Sequence, residues 1–139
     1  MSAICDTGPL VAYLNRRDPY HGWSVALMKQ VRPPLLTSEP VLTEVAYFLR
    51  EDGLPVDPVF ELLARDVLRL AFDLSAHWPR VRTLLARYNR MDLADASIVI
   101  MSEIHARSQV LTVDRRDFTV YRRHDRQVID FIAPPTRSR

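Results

Sequence analysis

Cysteine, glycine and lysine are nearly missing from this chain, and each scarcity closes off a class of chemistry. Cys5 is the only cysteine among 139 residues, so no intramolecular disulfide can form and a cysteine-built zinc site has no basis. A reducing compartment, the cytoplasm, suits that usage. The three glycines, Gly8, Gly22 and Gly53, cannot build the loops that cradle nucleotide phosphates, and neither Gly-x-x-x-x-Gly-Lys nor Gly-x-Ser-x-Gly occurs. The four histidines, His21, His77, His105 and His124, lack the His-x-x-x-His spacing of a metal-binding helix. Position 8 is glycine, where a phosphoaspartyl enzyme of the haloacid type wants a second aspartate, and the only lysine, Lys29, is expected within a helix. No apolar run reaches the roughly 18 residues of a membrane span. The start, MSAICDTGPL, has neither the basic region nor the apolar stretch of a signal peptide.

What is present is a chain of one-domain size that is 47% hydrophobic, enough for a sizeable core. A single domain over residues 1–133 with a loose tail over 134–139 is the expected organisation. Net charge is only +2, yet 18 of the 19 basic residues are arginine. Arginine suits bidentate phosphate contacts, although genome base composition gives the same bias. The last quarter is the most basic, which fits a polyanionic partner and equally a plain solvated surface.

Short apolar runs alternate with longer amphipathic ones. Strands are predicted at 2–5, 35–38, 67–74, 108–113 and 127–132. Helices are predicted at 7–15, 18–31, 40–51, 55–65, 76–88 and 92–106, with Pro79 in a first turn, and a turn or short helix at 114–122. Strands separated by helices imply an α/β sandwich of three layers around a mainly parallel sheet of about five strands. Ligands of such sheets bind at the carboxyl ends of the strands, where the strand order reverses.

Carboxylates stand where charge is expensive. Asp6 ends the first apolar run and Asp114 another, so each is a candidate for one edge of the same crevice. Asp6 also suits an N-cap. Glu44 lies in a helix whose neighbours three and four positions away are Pro40, Val41, Tyr47 and Phe48. It either snorkels at the edge of an apolar stripe or faces something polar inside, and the second reading is preferred. Asp92 and Asp95 open the apolar helix LADASIVIM; Asp92 reads as a cap, Asp95 as a charge pointing into the crevice. Asp117 lies a turn beyond Asp114 and reads as structural, Thr112 could place a hydroxyl beside the site, and Phe118 reads as core. An ionised carboxylate costs several kcal/mol to bury unless it is paired or binds metal. Converging carboxylates are an oxygen-ligand site for a hard divalent cation. The helix faces around Trp23, Tyr47 and Phe48 suit either core or an interface.

Four segments together resemble the PIN-domain proteins, and within them the VapC-like ribonuclease toxins of type II toxin–antitoxin systems. They are Ile4-Cys-Asp6-Thr-Gly-Pro-Leu, Thr37-Ser38 followed by Val-Leu-Thr-Glu44-Val, Asp92-Leu-Ala-Asp95-Ala-Ser, and Leu-Thr112-Val-Asp114-Arg-Arg-Asp117-Phe118. The resemblance spans essentially the whole chain, in order. It implies catalytic acids at Asp6, Glu44, Asp95 and Asp114, with Asp92 and Asp117 as auxiliary acids. It also implies Mg²⁺ or Mn²⁺, an RNA substrate, a small antitoxin partner and commonly a homodimer. On this footing Asp6, Asp95 and Asp114 are the expected metal ligands, direct or through water. Glu44 is expected to complete the cluster and position water, and Arg115, Arg116 and Arg122 to touch phosphates. The alternatives are a non-catalytic PIN-like module that binds RNA or protein, and a metal-dependent phosphatase or DNA nuclease.

Overall fold

The computed structural model describes residues 2–136. A central sheet of five parallel strands runs in the order β3-β2-β1-β4-β7, with β1 Ala3–Cys5, β2 Leu35–Thr37, β3 Leu68–Leu70, β4 Gln109–Leu111 and β7 Phe131–Ile132. The predicted α/β/α architecture is therefore the observed one. The three central strands are covered on both faces, and Ala3, Ile4, Cys5, Leu35, Leu36, Val110 and Leu111 are all buried. Successive connections first step outward from β1 to β3 and then return to its other side. Strand order thus reverses at β1, and the crevice belongs between the carboxyl ends of β1 and β4.

Helix α1 (Thr7–Leu14) packs on α2 (His21–Gln30) and on α3 (Glu39–Glu51). Ser24 fastens α2 to α1 by donating to the Pro9 carbonyl at 2.7 Å. Helix α3 starts where expected: Ser38 accepts from Val41 N–H, Pro40 occupies the first turn, and Gly53 with φ +69° follows its end. Its buried stripe is Val41, Val45 and Leu49, whereas Tyr47 and Phe48 are exposed. Trp23 packs partly against the core. Helix α4 (Asp57–Ala64) leads to the edge strand β3. Helix α6 (Leu93–Ile104) lies against β1, β4 and α5 (Leu74–Arg87) and is buried along most of its length. Ser38 and Ser97 are hydrogen-bonded at 2.7 Å, which joins the start of α3 to α6.

Three expected boundaries move. The strand predicted over 67–74 stops at Leu70, because Asp73 accepts from Ser75 N–H and starts α5 at Leu74. Pro79 consequently sits inside α5 rather than in its first turn. The strand predicted over 127–132 splits in two. Gln127–Val128 (β6) pairs antiparallel with Arg122–Arg123 (β5), a ribbon turned through the positive-φ residues His124 and Asp125. Only from the Asp130 carbonyl, which accepts from Val110 N–H, does the chain rejoin the main ladder. The strand predicted over 108–113 ends at Leu111, so Asp114 stands three residues beyond it and caps α7 (Arg115–Val120). Residues 137–139 of the expected tail lie outside the described residues; Pro134 is still held, by Arg115.

Candidate active site

Asp6, Glu44, Asp92, Asp95, Asp114 and Asp117 all line one crevice of about 490 Å³ at the carboxyl ends of β1 and β4. The topology places them there. Asp6 follows β1, whose neighbour β4 ends in Leu111, and Asp6 N–H donates to the Leu111 carbonyl at 2.9 Å. Thr112 is therefore the residue directly beside Asp6, and its hydroxyl donates to Asp6 Oδ2 at 2.8 Å. Thr112 Oγ1 also accepts from Asp114 N–H at 3.0 Å, which turns the chain so that Asp114 faces the crevice. Gly8 lets α1 come this close to the same loop: a Cβ there would collide with the Val113 side chain.

The expected N-cap role of Asp6 is not what its side chain does. It makes no capping bond into the first turn of α1 and turns instead to Thr112. Asp6 is 7% exposed. Burial pushes its carboxyl up to about 6, against the opposing pull of the Thr112 hydroxyl and the adjacent Thr7 backbone N–H; Asp114 and Asp92 add repulsion. Glu44 faces the crevice, and Thr7 Oγ1 donates to its Oε1 at 2.7 Å. Desolvation, with Asp92 and Asp6 as like charges, raises it to about 7. Asp95 rises to about 8, mainly by burial and then through Asp92 and Asp6. Asp114 is also raised, first by burial, with the neighbouring Asp117 carboxylate adding to the shift.

Asp92 does more than the cap expected of it. It forms a reciprocal capping box with Asp95: Asp95 N–H donates to Asp92 Oδ1 at 2.8 Å, and Asp92 N–H donates to Asp95 Oδ2 at 3.3 Å. At the same time its charge acts on Glu44, Asp95 and Asp6. Asp117 sits a turn beyond Asp114 and is tied into the chain on two sides. It is buried, donates its N–H to Asp114 Oδ1 at 3.0 Å, and accepts from Arg90 Nε at 3.0 Å.

Three site residues escaped the sequence reading. Thr7 orients Glu44, Arg90 neutralises Asp117, and the Tyr121 hydroxyl donates to Asp95 Oδ2 at 3.1 Å. Thr7 could have been suspected from its place next to Asp6. Tyr121 carries no such signal, since it is buried against Tyr88 and Phe118 and reads as core. Of the three arginines expected at phosphates, two have work inside the chain. Arg122 donates to the carbonyls of Thr119, Val120 and Tyr121 at the end of α7. Arg115 bonds the Pro134 carbonyl and lies over Phe131. Arg116 is exposed and lines a cleft beside the crevice.

The donor set is oxygen only, which selects hard cations. Among the described residues, no three His, Cys, Asp or Glu side chains are arranged to hold an ion directly. Such an oxygen set suits Mg²⁺, which keeps several waters and takes one or two carboxylates.

A parallel sheet with strand reversal at β1, and acids gathered from β1, α3, α6 and the β4–α7 turn, place the chain in the PIN domain family, to which it belongs: the family's profile matches residues 3–124. The resemblance read from four separate motifs is thus borne out. The chain is similar to Ribonuclease VapC26 of Mycobacterium tuberculosis (strain ATCC 25618 / H37Rv), with 27% identity over 123 residues, covering 86% of this chain and 91% of that protein. No helix among the described residues is long and apolar enough to cross a membrane.

Proposed function

We propose that this protein is a divalent-metal-dependent endoribonuclease, the toxin of a type II toxin–antitoxin pair, acting in the cytoplasm as a homodimer and held in check by a small antitoxin protein. The observation that carries the reading is the crevice itself: Asp6, Glu44, Asp95 and Asp114, drawn from four separate stretches of chain, share it. The similarity to a protein named as a ribonuclease supports RNA as the substrate.

Asp6, Asp95 and Asp114 would hold the ion, one or two of them directly and the rest through its waters. When bound, Mg²⁺ or Mn²⁺ supplies positive charge for the nonbridging phosphate oxygens and lowers the pKa of a water. The chain's own residues do the rest. Thr112 and Tyr121 fix the carboxylates of Asp6 and Asp95 by donating to one oxygen of each. Thr7 does the same for Glu44 through Oε1. Its place at the crevice suits Glu44 to position an attacking water and accept its proton. Asp92 and Asp117 support this set, by capping α6 and by tethering the Asp114 turn.

A non-catalytic PIN-like module draws some support from the lack of a preformed three-ligand cage. Against it stands the cost of holding several like charges in one crevice, which a binder has no use for. Side-by-side assays on RNA, single-stranded DNA and a phosphomonoester, each with Mg²⁺, with Mn²⁺ and with excess chelator, test the proposal. Metal-dependent internal cleavage of RNA alone is expected. Full activity in chelator would refute metal dependence, and turnover of the phosphomonoester in preference to RNA would favour the phosphatase reading.

A further inference from the structure

A crevice lined by six carboxylates repels a polyanion, so affinity for nucleic acid must come from outside it. Two further hollows share residues with the crevice. One, between α3 and the start of α5, joins it at Glu44 and Asp92; its remaining charged lining is Glu39 and Asp73, and no basic residue lines it. The other, a cleft of about 270 Å³ between α5 and α7, joins it at Arg90 and Asp117 and carries Arg87 and Arg116 as well. The first extends the negative field and the second reverses it.

The arginine cleft also has unused binding capacity. Arg116 is exposed and enters no ion pair among the described residues. Arg90 gives Nε to Asp117, and its side chain is still 61% exposed. Arg87 meets Asp125 twice, through Nη1 to the carboxylate it shares with Arg80 at 3.5 Å and through Nη2 to the carbonyl at 3.3 Å, and remains 48% exposed. The Tyr88 hydroxyl on the cleft wall is shielded from solvent and has no partner among the described residues, an unpaired donor that is costly to leave buried. Tyr121, which orients Asp95, forms part of the same wall. The cleft is therefore physically continuous with the proposed reacting centre.

Resting on the ribonuclease reading, we infer that the cleft formed by Arg87, Arg90 and Arg116 is a phosphate subsite, which grips the RNA backbone next to the bond held in the acid crevice and so sets the path of the strand. A guanidinium cluster suits this because it presents several fixed donors to one phosphate and keeps its charge at every working pH. The strand leaves the crevice on the α5–α7 side, away from Glu39 and Asp73. Contacts of this kind bind without reading sequence, so the subsite governs affinity and strand direction, while base selection lies elsewhere.

The test uses the full chain, with Arg116→Glu as the main variant, because that side chain enters no ion pair among the described residues. Arg87→Ala combined with Arg116→Ala is the second, its melting temperature recorded to show that losing the Arg87–Asp125 contacts leaves the fold intact. Binding of a labelled mixed-sequence single-stranded RNA is followed by anisotropy across a salt series, in an Asp95→Asn background so that the probe survives. Cleavage kinetics are measured in the Asp95 chain. Arg116→Glu is expected to weaken RNA binding roughly 10-fold and to lower the salt slope by about 0.7 to 1. KM should rise by a similar factor with kcat held. Unchanged binding and salt slope would overturn the subsite, even if the parent chain cleaves RNA well. So would a loss of kcat with KM held, or a loss confined to binding of a protein partner. A parent chain that binds RNA with the expected slope but never cleaves it would sink the nuclease reading and leave the subsite standing.

Discussion

Asp6→Asn is the substitution that most directly exposes the energetics of the site. Asp6 is buried, and its carboxyl is raised from 3.8 to about 6. The gap corresponds to about 3 kcal/mol held against the folded state once the group is ionised, at 1.36 kcal/mol for each pKa unit. The sign is fixed by linkage. Below pH 4 the carboxyl is neutral in both folded and unfolded chains, and Asp6 carries no penalty. Between pH 4 and about 6 the unfolded chain loses its proton and the folded chain keeps it, so stability falls as pH rises. Above about 6 the loss is complete. Asparagine keeps the oxygen that accepts from Thr112 and never ionises. In metal-free buffer the variant should therefore match the parent at pH 4 and exceed it by about 1–3 kcal/mol at pH 8. At about 3 °C per kcal/mol for a chain of this size, that is a gain of roughly 3–10 °C, measurable by thermal melts across a pH series. RNA cleavage should be lost at every pH. Adding Mg²⁺ should raise the parent's melting temperature more than the variant's, since binding to the folded state stabilises it. A variant whose advantage is the same at pH 4 and pH 8, or which is less stable at pH 8, would falsify the reasoning.

The remaining predictions concern the acids' partners and their approach. Asp95→Asn and Glu44→Gln should each reduce RNA cleavage by at least about 100-fold with circular dichroism unchanged; activity within a few-fold of the parent would remove that residue from the centre. Tyr121→Phe deletes the donor that holds the Asp95 carboxyl down, so the acidic limb of the pH–rate profile for kcat/KM should move to higher pH while packing is kept. A limb that stays in place or moves down would contradict this. Gly8→Ala forces a methyl group into Val113 and should cost about 1–3 kcal/mol by overpacking, seen as a lower denaturant midpoint; a neutral result would mean that the α1 contact is looser than described.

The sequence carried the fold and the acids further than it carried their surroundings. Alternation of apolar runs was enough to expect a parallel sheet, because strands buried on both faces leave a continuous apolar signal. It failed at 127–132, where Val128 and Ile129 look like one strand with Phe131 and Ile132; Val128 is 66% exposed and belongs to a separate ribbon. It also carried the strand at 67–74 too far, since Leu70 and Leu74 are both exposed and the boundary is set by the Asp73 cap. For the site, the cost of a charge in an apolar segment singled out Glu44 and Asp95. Position after a strand singled out Asp6 and, with the strand read two residues too long, Asp114. For the arginines, neither composition nor nearness to the fourth motif can tell a guanidinium that closes a helix, as in Arg122, from one that faces a cleft, as in Arg116.

The partners of the acids follow a rule that no single motif contains. Asp6 is held by Thr112, Glu44 by Thr7 and Asp95 by Tyr121, each from a different element of the chain. All three partners are hydroxyls, which orient an oxygen without cancelling its charge. Asp117 alone of the six is paired with a guanidinium, that of Arg90. A neutral donor leaves a carboxylate repelling its neighbours, which is why burial and like charge raise Asp6, Glu44 and Asp95 together. A protein built only for stability would place arginines here, and it has 18 of them. The charge left uncancelled is what an incoming cation would neutralise. On that ground the hydroxyl-held acids belong to the proposed reacting centre, and the guanidinium-held Asp117 belongs to its support.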